Sequence, residues 1–283
     1  MTLVTRQSRF MHYNAGAFVS RGEACLVDPG ILADEVAALA GELRGAQTRF
    51  IVLTHADWDH VLGPEHLPPT RIVAHAAYAD ELDPEGIRVM LAQLEEHAGV
   101  TREHPFEPPL PDETFEKELA LEVGELELRL AHAPGHAASM LTIHEPKSGA
   151  LWAADVLSDV EIPSVIDGLD EHEQTLERLA ELEIRRLVPG HGTSTGDAGE
   201  IRRRLDDDRT YLAELRAGVT EAVAAGLSLD ETVAACVRIA RRRSDGDGTL
   251  HRLNVEKVYA DFGGDADPQH VGYARAWREA TAA

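Results

Sequence analysis

Cysteine is almost missing from this chain. Only two occur among 283 residues, Cys25 in an apolar strand-like run and Cys236 in a helix-like one, neither with a neighbour at metal or redox spacing. That excludes a disulfide framework and leaves both thiols as small buried hydrophobes. Long apolar runs are missing too; nothing approaches the roughly eighteen uninterrupted apolar residues of a membrane span. The opening MTLVTRQSRFMHYNAG lacks the basic-then-apolar order of a secretory signal, so the expected location is the cytoplasm, with no membrane partner. Cations are scarce: 27 Lys and Arg stand against 50 Asp and Glu, a formal charge of -23. Such a charge repels a polyphosphate, so nucleic acid is not an expected partner. The dense basic cluster Arg241 to Arg243 suits a helix C-terminus, where cations meet the negative end of the dipole. Repeats of fixed period and low-complexity tracts are also absent.

The hydrophobic content, 43%, is that of an ordinary globular core, and the length suits one large domain with an appendage. AFVSRGEACLVD, 17 to 28, reads as two strands around Ser20-Arg21-Gly22, followed by a helix from about Leu32 to Leu43. Arg49 to Leu53 and 71 to 75 read as strands, and 84 to 98 as a helix opened by Pro84. Prolines in 99 to 116 remove backbone donors, which predicts an irregular loop over a site. LALEVGELELRLAH alternates as a strand pair, SMLTIHE and GALWAADV supply two more strands, and 170 to 183 is a helix before the strand RRLVP. Past Gly199, Ile201, Leu205, Leu212, Leu215, Val219 and Val223 share one helical stripe, with further helices expected at 229 to 241 and about 253 to 260. The expected division is therefore a strand-rich domain over 1–199 and a helical extension over 200–283 packed on it. The apolar stripe of that extension has to be buried somewhere, over the mouth of a site or in a homodimer interface.

Chemistry concentrates in Thr54-His55-Ala56-Asp57-Trp58-Asp59-His60, directly after the apolar strand FIVLT. Four side chains able to bind metal stand at a strand-to-loop turn, where they can converge instead of alternating across a sheet. The bland reading is a helix N-terminus capped by aspartates. Three later residues weigh against it: His136 in APGH, Asp155 after ALWAA, and His191 in VPGHG, all at predicted strand ends among small residues that leave room for an ion. Together these side chains offer enough nitrogen and oxygen donors for two first-row metal ions with a position open to water.

In this ordered pattern the sequence resembles the metallo-β-lactamase superfamily, whose hallmark is His-x-His-x-Asp-His followed by a separate His, an Asp and a final His. The resemblance spans roughly the first 195 residues, and NAGAFVSRGEACLVDPG is similar to the family's opening hairpin, with Asp28-Pro29-Gly30 as its closing turn. It implies an α/β (α+β) fold, a four-layer αββα sandwich with metals at one edge. It assigns His55, Asp57 and His136 to a first ion, Asp59, His60 and His191 to a second, and Asp155 to a bridge between them. It further implies that water held between the ions loses a proton near neutral pH and attacks a carbonyl or phosphoryl centre, with Asp59 orienting it.

Asp57 departs from the pattern, since hydrolytic members carry histidine there. With a hydroxide, two divalent ions and three aspartates sum formally to zero, where the histidine version keeps one positive charge. That softens Lewis acidity and favours iron or manganese relative to zinc. A carboxylate at this place resembles the flavodiiron branch, which uses glutamate, but no flavodoxin-like segment accompanies it here. The expected function is a dinuclear hydrolase, zinc first among metals, acting on a small ester, thioester, lactone or amide. An oxygen-reactive diiron oxidoreductase is the second reading, and a non-enzymatic binding protein the third. Trp58 is a candidate wall of the substrate mouth or a core aromatic. Tyr13, Asn14, His104 and Phe106 lie in segments that can reach the site. Ser139 lacks a Gly-x-Ser-x-Gly elbow and reads as structural. His75, His97, His132, His144, His172, His251 and His270 read as core or surface residues.

Overall fold

The computed structural model of the chain describes residues 1–99, 105–239 and 248–282. Arg241 to Arg243 and His104 lie outside the described residues. The strands alternate side chains between two apolar environments, and this alternation builds the layers. One sheet runs in the order β1 (Thr2–Gln7), β2 (Asn14–Ser20), β3 (Glu23–Val27), β4 (Gln47–Val52), β5 (Ile72–His75), β6 (Glu113–Phe115). Its first three strands pair antiparallel and the rest parallel. The other sheet runs β11 (Arg186–Pro189), β10 (Ala150–Ala154), β9 (Leu141–Glu145), β8 (Leu126–His132), β7 (Glu118–Val123), with only β10 and β11 parallel.

Cys25 and Val27 of β3, Phe50 and Val52 of β4, Leu128 and Leu130 of β8, and Trp152 of β10 fill the space between the sheets. The alternate residues Ala24, Leu26 and Ile51 face outward, against Leu39 of α1 (Ala33–Glu42) and Ile87, Leu91 and Leu94 of α3 (Pro84–Ala98). On the other side, Leu151, Ala153 and Leu187 meet Leu176 and Leu179 of α4 (Leu169–Ala180). The result is a four-layer αββα sandwich. The same outer cluster also holds Leu212, Leu215 and Val219 of α5 (Ala198–Ala224) and Val255 and Val258 of α7 (Thr249–Asp261). The predicted stripe on α5 is thus buried against a sheet and its neighbouring helices. No helix among the described residues is long and apolar enough to cross a membrane.

Several elements differ from expectation. Residues 113 to 115, read as irregular, form β6, because their backbone completes the edge left by β5. β1 and the short α2 (Tyr78–Glu81) carry little periodic signal and were not anticipated. α6 (Leu229–Cys236) ends earlier than 241, and α7 begins before 253. A last helix, α8 (Gly272–Ala282), docks on α3.

The docking of α8 rests on Asp83. One of its carboxylate oxygens caps α3 by accepting from the Gly86 amide at 3.0 Å, while the other accepts from Trp277 Nε1 at 2.7 Å. Gly86 gives the indole its room, since a Cβ there would lie 2.4 Å from the ring. Burial pushes the Asp83 carboxyl up, but hydrogen bonds from Trp277 and Gly86 outweigh it and hold the group below its ordinary 3.8. A depressed folded pKa contributes stability that is complete above the unfolded value and is lost as pH falls through the folded one. Asp83→Ala is therefore expected to destabilise by about 1 kcal/mol at neutral pH. The gap to the wild type should narrow as pH drops below about 4, which urea denaturation across that range would check.

Candidate metal centre

Both sheets deliver their polar residues to one edge. β4 ends at Val52, and the loop carrying His55 to His60 leaves there; His136 follows β8 across Ala133-Pro134-Gly135; Asp155 directly follows β10; His191 follows β11 after a single glycine. Small residues are required where these segments meet. A Cβ on Gly190 would fall 1.9 Å from Asp155 Oδ1, and one on Gly135 would fall 2.3 Å from the backbone of His172. Ala154, with φ 51°, is in the left-handed region that favours glycine, and this turns Asp155 off the end of its strand.

The structure brings all seven predicted side chains together. His136 Nε2 lies 3.2 Å and His55 Nε2 3.6 Å from Asp57 Oδ2. His191 Nε2 lies 3.1 Å and His60 Nε2 3.6 Å from Asp59 Oδ2. Asp155 faces all four imidazoles, with Oδ1 3.3 Å from His60 and Oδ2 3.8, 3.5 and 3.6 Å from His55, His136 and His191. Donor atoms fall into three groups, each within 4.8 Å: His55, Asp57 and His136; His55, His60 and Asp155; Asp59, His60 and His191. Asp57 reaches this space despite its short side chain and is its most exposed member, at 35%.

Residues behind the imidazoles set their orientation. Thr54 Oγ1 donates to Asp28 Oδ2 at 2.6 Å and lies 2.9 Å from His55 Nδ1. His60 Nδ1 lies 3.0 Å from Asp28 Oδ2, and His191 Nδ1 lies 2.8 Å from the Met11 carbonyl. With the proton on each Nδ1, each Nε2 turns a lone pair toward the carboxylates. Lone pairs facing carboxylates at these distances repel unless a cation lies between them. Buried His55 Nε2, His60 Nε2, His136 Nδ1 and Asp155 Oδ1 have no hydrogen-bond partner, so the polar atoms of the cluster are not satisfied by protein alone. This donor set of imidazole nitrogens and carboxylate oxygens fits divalent first-row metal ions.

The same crowding of carboxylates and imidazoles governs their protonation. Burial disfavours the charged form of His191, but Asp155 and then Asp59 outweigh it and push it up to about 10. His60 and His136 are raised against burial as well, by Asp155 first in one case and by Asp57 in the other. Burial opposes ionisation of Asp57, Asp59 and Asp155, yet all three are depressed, Asp57 chiefly by His55 and the other two chiefly by His60.

Beside these side chains opens a narrow cleft of about 10 Å³, room for about one water, walled by Leu157, Glu161, Ile162, Pro163 and Ser164. Burial raises the Glu161 carboxyl above its ordinary value. Trp58 is half-buried against the outer cluster of α1 and α3, and Phe106 is buried there too. Tyr13 and Asn14 reach the site from behind. Tyr13 packs edge-on against His60 and His191, and its hydroxyl donates to the Asp28 carbonyl. Asn14 Nδ2 donates to the carbonyls of Pro189 and Gly192 on either side of His191.

Sequence reasoning missed the supports. Asp28 reads as a turn residue, yet its carboxylate accepts from the Thr54 amide and hydroxyl and contacts His60. Glu81 offers no pattern at all, yet it accepts from the amides of Ala138 and Ser139 at 2.8 and 2.9 Å and so fixes the turn after His136. Ser139 acts structurally, accepting from the Ala56 amide. His172 is fully buried, and burial, with His136 adding to it, lowers it to about 3, which keeps it neutral. His75 and His132 stack on each other at 3.7 Å, away from the cluster.

The model of the metallo-β-lactamase superfamily matches residues 9–191, and the chain belongs to that family. Among curated proteins, the Beta-lactamase-like protein 2 homolog of Caenorhabditis elegans is 26% identical over 229 residues, 74% of this chain and 70% of that protein. Among solved structures, the stereoselective inverting sec-alkylsulfatase Pisa1 from Pseudomonas sp. superposes with a TM-score of 0.72 at 18% identity. That match covers 90% of this chain but only 48% of the sulfatase, so the chain spans about half the length of that structure. TTHA1623 in a di-iron-bound form gives a TM-score of 0.52 at 24% identity, covering 69% of this chain and 94% of that one.

Asp28→Asn is expected to weaken metal retention about 10- to 100-fold, because an amide cannot accept from all three of its donors. Competition against a chelator measures this directly. Affinity equal to the wild type would show that Asp28 does not orient the imidazoles.

Proposed function

We propose that the chain is a dinuclear metallohydrolase acting on a small ester, thioester, lactone or amide. The observation that carries this reading is the placement of Asp155 opposite four imidazole nitrogens, with Asp57 facing His55 and His136 and Asp59 facing His60 and His191. In this reading His55, Asp57 and His136 hold one ion, Asp59, His60 and His191 hold the other, and Asp155 serves both. Bound divalent ions supply Lewis acidity toward a substrate oxygen and lower the pKa of water toward neutrality. The chain's own contribution is to aim the imidazoles, through Asp28, Thr54 and the Met11 carbonyl. In this reading Asp59 also orients the attacking water, and the substrate approaches along the narrow cleft beside His136 and His191, whose wall has to give way to take it. A strongly acidic chain with a small cleft favours a small molecule over a nucleic acid.

One observation favours a second reading. Asp57 adds a third carboxylate and lowers the formal charge of a loaded centre, which suits iron, and the likeness to a protein crystallised in a di-iron-bound form is consistent with it. An oxygen-reactive diiron protein is therefore the alternative. Elemental analysis with an absorption spectrum separates the two: zinc without a visible band supports the hydrolase, and iron with a ligand-to-metal band supports the alternative.

Asp155→Ala should lower metal content and hydrolysis together, whereas two ions per chain with normal turnover would remove the assignment. Metal uptake should also release protons. His191 is protonated below about 10 in the ion-free chain and must be neutral to bind, so affinity should rise with pH across the neutral range. Calorimetry in buffers of different ionisation enthalpy reads that release. Asp57→His is expected to shift uptake toward zinc when zinc and iron are offered together, and an unchanged ratio would count against carboxylate control of metal choice.

A further inference from the structure

The segment from Leu157 to Val165, which walls the cleft as far as Ser164, has no regular secondary structure, yet Leu157, Ile162 and Val165 are buried. Within the segment, Ser158 Oγ accepts from the amides of Val160 and Glu161. Asp159 Oδ1 accepts from the Thr193 amide at 2.6 Å, and further long-range anchors come from helices beyond residue 197. Arg204 of α5 donates to the Leu157 carbonyl at 3.2 Å and to the Thr193 carbonyl at 2.9 Å. Asn254 of α7 holds the other end. Its Nδ2 donates to the Pro163 carbonyl at 2.7 Å and to Tyr211 Oη at 2.8 Å. Its Oδ1 accepts from the Val165 amide at 2.8 Å and from Tyr273 Oη at 3.0 Å.

These four bonds use the full capacity of an asparagine side chain, at zero exposure. The amide can sit only one way round, because Val165 N–H requires an acceptor and the Pro163 carbonyl requires a donor. Tyr211 is fixed in turn: its hydroxyl lies 3.0 Å from His251 Nδ1, and His251 Nε2 lies 2.9 Å from the Cys236 carbonyl. A residue 91 positions from Pro163 in sequence thus clamps the segment that faces His136 and His191 across the cleft.

We infer that Asn254 is a positioning residue for the substrate cleft, setting through Pro163 and Val165 how bulky a ligand can approach the metal centre. This rests on the proposed role of the cleft as the entry to that centre. α5, α7 and α8 then serve as more than a cover for the outer face of a sheet, because they hold the wall opposite the catalytic edge.

The test uses the full chain carrying the metal with which it purifies. Amide exchange at Val165, metal content, and calorimetric binding of a small and a bulky thiol, 2-mercaptoethanol and benzyl mercaptan, are compared for wild type, Asn254→Ala and Tyr273→Phe. The expected result for Asn254→Ala is unchanged metal content, exchange at Val165 faster by about ten-fold, and a bulky-to-small affinity ratio changed by about five-fold or more. Tyr273→Phe removes one of the four bonds and should move exchange and ratio the same way by less. It decides the matter if Asn254→Ala does not fold. Val165 exchange as slow as in wild type, a loosened wall with an unchanged ratio, or a wild type that binds neither thiol would each overturn the inference. Thiol binding does not depend on turnover. A wild type that binds thiols but hydrolyses no ester, thioester, lactone or amide removes the hydrolase reading and leaves this one to the exchange and the ratio.

Discussion

Four imidazole nitrogens confront three carboxylates at one edge of this sandwich, and the rest of the site follows from the need to make that confrontation stable. Placed among water, the groups would simply separate. Here they are held at 3.1 to 3.8 Å by loops and turns that leave strand ends at one edge of the two sheets. A cation between them turns repulsion into attraction, whether it is a proton shared by each pair or a metal ion bound by several groups at once. The depressed aspartates and raised histidines express the same demand in the ion-free chain.

Holding such a cluster ready requires rigidity from several directions. Asp28 works from the end of β3, accepting from Thr54 and contacting His60, so one carboxylate orients two imidazoles, one directly and one through a hydroxyl. Glu81 secures the His136 turn and Asn14 the His191 turn. Left-handed backbone at Ala154 and the absence of a side chain at Gly190 let Asp155 leave its strand and enter the cluster. The C-terminal helices join this scaffold through the apolar cluster they share with β10 and β11, and through Arg204 and Asn254 on the cleft wall.

The layers were legible wherever alternation or helical spacing ran long enough. β7, β8, β10, α3 and α5 match their predicted places because each must bury one face, and that requirement is written in consecutive residues. β6 was not legible, since three residues beside prolines carry no periodicity and become a strand only by pairing with β5. α8 was missed for a related reason: its docking depends on Trp277 finding Asp83 and the gap over Gly86.

The same division separates the site from its supports. Residue type and position at strand ends were enough to name His55, Asp57, Asp59, His60, His136, Asp155 and His191, because ligand chemistry selects histidine and aspartate and because close packing around them selects glycine. Sequence alone therefore picked out the seven candidate donors, and the resemblance of their ordered pattern implied the layered sandwich that carries them. Only the tertiary structure decided how those donors are aimed and what faces them. Asp28 meets Thr54 and His60 from 26 and 32 residues away, and Asn254 meets Pro163 from 91. Contacts of that kind leave no local pattern, since one buried hydrogen bond constrains two distant residues and nothing between them.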